Sequence, residues 1–171
     1  CNQSKQAEEL FRRIGITFNV YGQKDEQERL IPFDIIPRIL SAQEWRVLEA
    51  GIVQRVAAIN AFLDDVYNAQ EIIKAGIIPS ELINRNKAFL PQMCGLKPPG
   101  GIYTHVVGVD IVRTDVNEFF VLEDNARVPS GVSYMIENRA TMLQMFPELF
   151  TSNHIKQVSN CPKQLFRSLA A

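Results

Sequence analysis

Residues 101–139, GIYTHVVGVDIVRTDVNEFFVLEDNARVPSGVSYMIENR, hold two runs rich in β-branched and aromatic residues. Between them lies a short polar break, Thr114-Asp115-Val116-Asn117. That pattern predicts a β-hairpin with a four-residue connection. Each strand carries carboxylates among apolar neighbours: Asp110 in VVGVDIVR, then Glu123 and Asp124 in FFVLEDN. A carboxylate buried in an apolar strand costs several kcal/mol unless it is paired, hydrogen-bonded or bound to a metal. The fold is therefore expected to supply a partner for these groups.

Pairing Arg113 with Glu118 across the turn sets Asp110 opposite Val121 and Gly108 opposite Glu123. Side chains alternate along a strand, so Asp110, Glu123 and Asn125 then share one side and Asp124 takes the other. Gly108, with no side chain, is expected to leave room for an ion or ligand beside Glu123. A slip of one residue would move Asp110 to the opposite face. Two carboxylates and an amide oxygen make an all-oxygen site that suits magnesium or manganese. The alternative is structural: Asp110 pairs with Arg113 or Arg127, and Glu123 caps a loop.

The strings GIYTHVVGVDIVR and FFVLEDNARVPSGVSYMIENR resemble the circularly permuted ATP-grasp proteins, relatives of glutathionylspermidine synthetase. The resemblance extends upstream through GITFNVYG, RLIPFDIIPRIL and SAQEWRVLEAGIVQRVAAINAFLDDVYN, and so covers nearly the whole chain. It implies ATP-dependent joining of a carboxylate to an amine through an acyl-phosphate, with ATP and Mg2+ as cofactors. By the same resemblance Asp110, Glu123 and Asn125 match the magnesium-binding Asp and Glu-x-Asn of the ATP-grasp site. Arg127, two residues past that motif, is placed near a bound phosphate, where a guanidinium offsets developing charge. The alternative for Arg127 is an ion pair with Asp124 or Glu137. Arg113 poses the same choice, since related synthetases use an arginine in such a place to hold substrate.

The 171 residues suffice for one substantial core, and a single domain over 1–171 is the expectation. A net charge of −1 leaves no electrostatic footprint for nucleic acid or an anionic membrane. No apolar run approaches the roughly 20 residues of a membrane helix. Cys1, Cys94 and Cys161 are too scattered for a disulfide framework or close-spaced zinc ligation, so a reducing cytoplasm is expected. His105 and His154 are too few and too far apart for a histidine metal site. The first residues, CNQSKQAEEL, show neither a signal peptide nor an initiating methionine, which leaves a processed, trimmed or partial chain as the expectation.

Along the chain, residues 6–13 predict a short helix and Ile16 to Val20 a half-buried strand, with 23–29 a solvated loop. LIPFDIIPRIL, with Pro32 and Pro37, predicts a buried extended connector. Ser41 and Glu44 form a capping box that opens the longest helix. Leu48, Ile52, Val56, Ile59, Leu63 and Val66 give that helix one apolar stripe, and Asp64-Asp65 is expected on a solvated face. Gly76 closes a second helix and Ser80 opens a short third one. Residues 89–101 form a loop without a Walker pattern. Pro129 and Gly131 end the hairpin region, a helix runs from about Val132 to Met145, and Pro147 stops it.

The fold expected is α+β: a mixed, partly antiparallel sheet flanked by helices and covered on both faces. The resemblance sharpens this to part of an ATP-grasp-like (glutathione synthetase-like) fold. The lysines and glycine loop that close over nucleotide phosphates have no counterpart here. The chain is accordingly expected to be the N-terminal portion of a longer ligase, to supply its magnesium-binding part and to be inactive alone. The partners implied are ATP and small-molecule or peptide carboxylate and amine substrates. Two further classes stand beside it: a non-catalytic binding domain of the same fold, and a metal-dependent hydrolase, which needs a second metal cluster or general base.

Overall fold

A computed structural model describes residues 2–15, 17–18 and 29–170. Among them the chain alternates helices with two separate antiparallel strand pairs, an α+β arrangement. It divides into two compact units. One comprises residues 1–39 with 130–171, the other Leu40–Pro129.

In the first unit, α1 (Asn2–Ile14) buries Ala7 and Phe11. The Phe11 ring meets Phe33 at 4.6 Å between centroids, which places this unit's apolar centre on α1 and the chain after the second strand. Strands β1 (Thr17–Phe18) and β2 (Arg29–Leu30) form a short antiparallel pair. The rest of the predicted strand and the loop at 23–28 lie outside the described residues. The segment after β2 is neither helix nor strand and bends at Ile35-Ile36, where the Ile36 N–H donates to Asp34 Oδ1. It is not buried throughout as expected: Ile31, Phe33 and Ile35 are half-buried, while Ile36 and Ile39 face solvent. Helix α5 (Val132–Met145) begins after Gly131, whose φ of 96° no other residue type adopts without strain. Tyr134 on α5 donates its hydroxyl to the Thr17 carbonyl at 3.2 Å. Pro147 does stop α5, and it also opens α6 (Pro147–Ser152) at the first-turn position where its missing N–H costs nothing. Helix α7 (Cys161–Leu169) completes the unit.

The second unit is built on α2 (Ala42–Tyr67). The capping box forms as expected: the Glu44 N–H donates to Ser41 Oγ at 3.2 Å, and the Ser41 N–H to Glu44 Oε2 at 2.8 Å. The predicted stripe is the less exposed side of the helix, with Val66 fully buried. Asp64 and Asp65 are half-buried, contrary to the expectation of a solvated face. Asp65 accepts the N–H groups of Glu71 and Ile72 and so caps α3 (Glu71–Lys74). Asp64 receives the Tyr103 hydroxyl at 2.9 Å. Tyr67 stacks between Phe89 and Tyr103, which packs the loop after α4 (Ser80–Asn84) against the end of α2.

Strands β3 (Gly108–Asp115) and β4 (Glu118–Asn125) form the predicted hairpin. Its connection is two residues, Val116-Asn117, rather than four. Asn117 adopts φ +58°, a left-handed conformation its short polar side chain tolerates. Asp115 and Thr114 hydrogen-bond locally, to the Val116 N–H and to Glu118, which lets the ladder run on to the turn. The ladder has two irregularities. Leu122 is an unpaired extra residue on β4, and a second break lies between Arg113 and Asp115. Beyond Leu122 the face assignment reverses: Val109 and Ile111 share a face with Val121 and Phe119, not with Phe120 and Leu122 as simple alternation predicts. Nor are both faces covered. Val112, Phe120 and Leu122 are exposed, Leu122 at 73%.

Candidate functional site

Asp110 pairs directly with Glu123, and Gly108 with Asn125. This register lies two residues from the one that sets Arg113 against Glu118. An even displacement preserves faces, so Asp110, Glu123 and Asn125 still share one side of the hairpin, and the two carboxylates are brought closer than expected. Directly opposed residues in an antiparallel pair have their Cβ atoms about 4.5–5.5 Å apart. Asn125 donates its amide to Glu123 Oε1 at 3.1 Å, which ties the second and third members together.

All three side chains are exposed. The argument from burial therefore does not hold for Asp110 and Glu123. Among the described residues Asp110 makes no ion pair, so the structural alternative, pairing with Arg113 or Arg127, is absent as well. Two like charges directly opposite on one ladder are destabilising. The arrangement leaves open oxygen ligands and space for water around them, and that fits a small hard cation. Among the described residues no group of three or more His, Cys, Asp or Glu converges. The third oxygen of the set is therefore an amide, that of Asn125. The space beside Gly108 is not free for an ion, contrary to expectation. A methyl group built there would stand 3.1 Å from Cβ of Pro129, which already fills the place.

Arg127 is exposed and, among the described residues of its own unit, forms no ion pair with Asp124, whose oxygens are taken by Arg55. Arg113 is not brought to the carboxylate face. It stands opposite Phe119 on the other side, and its Nη2 lies 2.7 Å from Glu44 Oε1 on α2. The physical reason is alternation along β3: Arg113 lies three residues from Asp110 on an uninterrupted stretch and so points to the other face, where α2 offers it a carboxylate. The Glu44 pKa is lowered from its ordinary value, first by the Ser41 N–H and hydroxyl and then by Arg113, against the opposing effect of burial.

Sequence reasoning missed three residues that hold this site in place, all linked to α2. Arg55 donates Nε to both oxygens of Asp124, at 2.7 and 2.9 Å, with Nη2 at 2.7 Å from Oδ2. That contact lowers the Asp124 pKa and raises that of Arg55, through the hydrogen bond first and the charge after it. Asn60 Oδ1 accepts the N–H groups of Tyr103 and Thr104 at 2.8 and 3.1 Å. The buried Thr104 hydroxyl donates to the Ala126 carbonyl at 2.6 Å, fastening the residue that follows Asn125. One signal was available. Arg55 lies three residues after Ile52 of the apolar stripe, on the side of α2 that meets the hairpin. An open cleft of about 460 Å³ separates the two, lined mainly by Leu48, Ile52, Val109, Ile111 and Phe119.

The family model for circularly permuted ATP-grasp type 2 matches residues 37–171. An uncharacterized protein of Synechocystis is 46% identical over 156 residues, covering 91% of this chain and 32% of its own length. A Mycobacterium leprae protein, also uncharacterized, is 47% identical over 155 residues, 91% of this chain and 27% of its own. A Frankia alni protein provisionally named a glutamate–cysteine ligase is 39% identical over 170 residues, 98% of this chain and 19% of its own. The chain thus spans about a third or less of the length of these relatives.

Proposed function

The chain belongs to the circularly permuted ATP-grasp type 2 family, and on that footing we propose that it supplies the magnesium-binding part of an ATP-dependent carboxylate–amine ligase. The observation that carries this reading is the direct opposition of Asp110 and Glu123, with Asn125 beside them, on an open hairpin face. A binding module without chemistry has no use for two exposed carboxylates set against each other. A hydrolase reading lacks the second cluster it needs among the described residues.

Asp110, Glu123 and Asn125 would hold the cation. When bound, Mg2+ supplies charge neutralisation for the phosphates of ATP. Arg127, exposed and two residues past Asn125, would approach a phosphate oxygen and offset charge during transfer. Arg113, turned to Glu44, is left out of that set. In the reaction proposed for the whole protein, a substrate carboxylate oxygen attacks the γ-phosphorus and ADP leaves. The amine then attacks the acyl carbon, phosphate leaves, and the amine gives up a proton. The name of the Frankia relative supports amino-acid-sized carboxylate and amine partners. The remaining nucleotide-gripping groups are proposed to come from the further length that the relatives possess, with this chain as an N-terminal portion that does not act alone. A cytoplasmic setting is proposed with it, supported by the free thiols of Cys94 and Cys161; among the described residues no helix is long and apolar enough to cross a membrane.

The test is calorimetric titration of a non-hydrolysable ATP analogue with Mg2+ into the full-length protein and its Glu123→Ala variant. Binding in the first and loss in the second is the result expected. Equal binding in both removes Glu123 from the site.

A further inference from the structure

We propose that Arg55 is a positioning residue for Glu123 and Asn125, acting on them through Asp124; this rests on the metal-site reading above. Asp124 lies between the two ligands in sequence, and alternation sends its side chain to the opposite face, towards α2. There both its oxygens are taken by Arg55. A guanidinium fork on a carboxylate fixes orientation as well as distance, because two parallel bonds define a plane. Holding Asp124 in that plane sets the pleat of β4 at this point, and with it the direction in which the residues on either side leave the strand.

The place matters because of Leu122. An unpaired residue lets a strand bend and twist locally, and this one immediately precedes Glu123. On the far side, Ala126 is fastened by Thr104, itself held through Asn60 on α2. Arg55 is the grip between the bulge and that fastening. The pair Arg113–Glu44 offers a built-in comparison. It joins the same helix to the same hairpin with the same chemistry, but it lies beyond the bulge from the ligands.

The experiment measures Mn2+ affinity, by the electron paramagnetic resonance signal of the free ion, for the full-length protein and its Arg55→Ala, Arg55→Lys, Glu44→Gln and Glu123→Ala variants, with thermal midpoints for each. Outer contacts of metal ligands typically change affinity about 10- to 100-fold, so Arg55→Ala is expected to weaken binding about tenfold. Arg55→Lys is expected to recover part of that loss. Glu44→Gln is expected to bind as the parent does while its midpoint falls. Unchanged affinity in Arg55→Ala, or equal losses in Arg55→Ala and Glu44→Gln, overturns the proposal while binding that depends on Glu123 upholds the site. Absence of Mn2+ binding in the parent protein overturns the metal-site reading and this inference with it.

Discussion

Glu44 divides its carboxylate between two partners: Oε2 takes the Ser41 N–H and closes the N-terminal cap of α2, while Oε1 faces the Arg113 guanidinium of β3. One side chain thereby starts the longest helix and ties it to the hairpin. Ser41→Ala removes only the cap and is expected to cost about 1 kcal/mol. Glu44→Ala removes cap and cross-link together and is expected to lower the denaturation midpoint further than Ser41→Ala. Equal midpoints in urea would separate Arg113 from the stability of the unit.

Acid should act through the same residue. The Glu44 pKa is lower in the folded chain than its ordinary value of 4.5, so the folded state binds fewer protons there than the unfolded state. Its contribution is fully present above that ordinary value and is lost as pH falls through the lower folded value. Stability should therefore hold above about pH 5 and decline below about pH 4.5. Glu44→Gln should flatten that decline in urea titrations taken at successive pH values.

Metal-free stability provides a separate check on the opposed carboxylates. Glu123→Gln removes a like-charge pair from one rung of the ladder and is expected to raise metal-free stability by about 0.5 kcal/mol. The same change should eliminate stabilisation by millimolar Mg2+. A variant that is less stable without metal would mean that Asp110 and Glu123 do not repel each other.

Asn60→Ala leaves the N–H groups of Tyr103 and Thr104 without their acceptor in a half-buried place. Unsatisfied groups of this kind cost about 1–3 kcal/mol, and hydrogen exchange at Thr104 should accelerate accordingly.

Gly108→Ala forces a methyl group to within 3.1 Å of Pro129. Overpacking of this size is expected to cost about 1 kcal/mol or more, read as a lower midpoint for the variant.

Much of this architecture is legible in the chain because local chemistry dictates it. Ser41 and Glu44 announce the start of α2, and its stripe from Leu48 to Val66 follows from helical period alone. The hairpin, too, is plain from its composition. The trio Asp110, Glu123 and Asn125 survives an inaccurate register because strands repeat every second residue. What the chain hides is what depends on distant partners. Nothing adjacent to Leu122 marks it as the extra residue, so the reversal of faces beyond it on β4 cannot be read locally, and neither can the carboxylate on α2 that Arg113 meets. Arg55 finds Asp124 across 69 positions, and Thr104 finds the Ala126 carbonyl across 22. Asp64 and Asp65 look like surface residues until Tyr103 and the start of α3 fold back onto them.

The extra residue at Leu122 makes the hairpin a two-part device. The ladder pairs Asp110 with Glu123 and Ile111 with Val121, which become consecutive rungs once Leu122 is set aside. Deleting Leu122 would therefore leave every rung from Gly108 to Arg113 with the partner it has, the trio on one face and Arg113 on the other. What would be lost is the local bend of β4, and with it the tilt between the base of the hairpin, which carries the trio, and its tip.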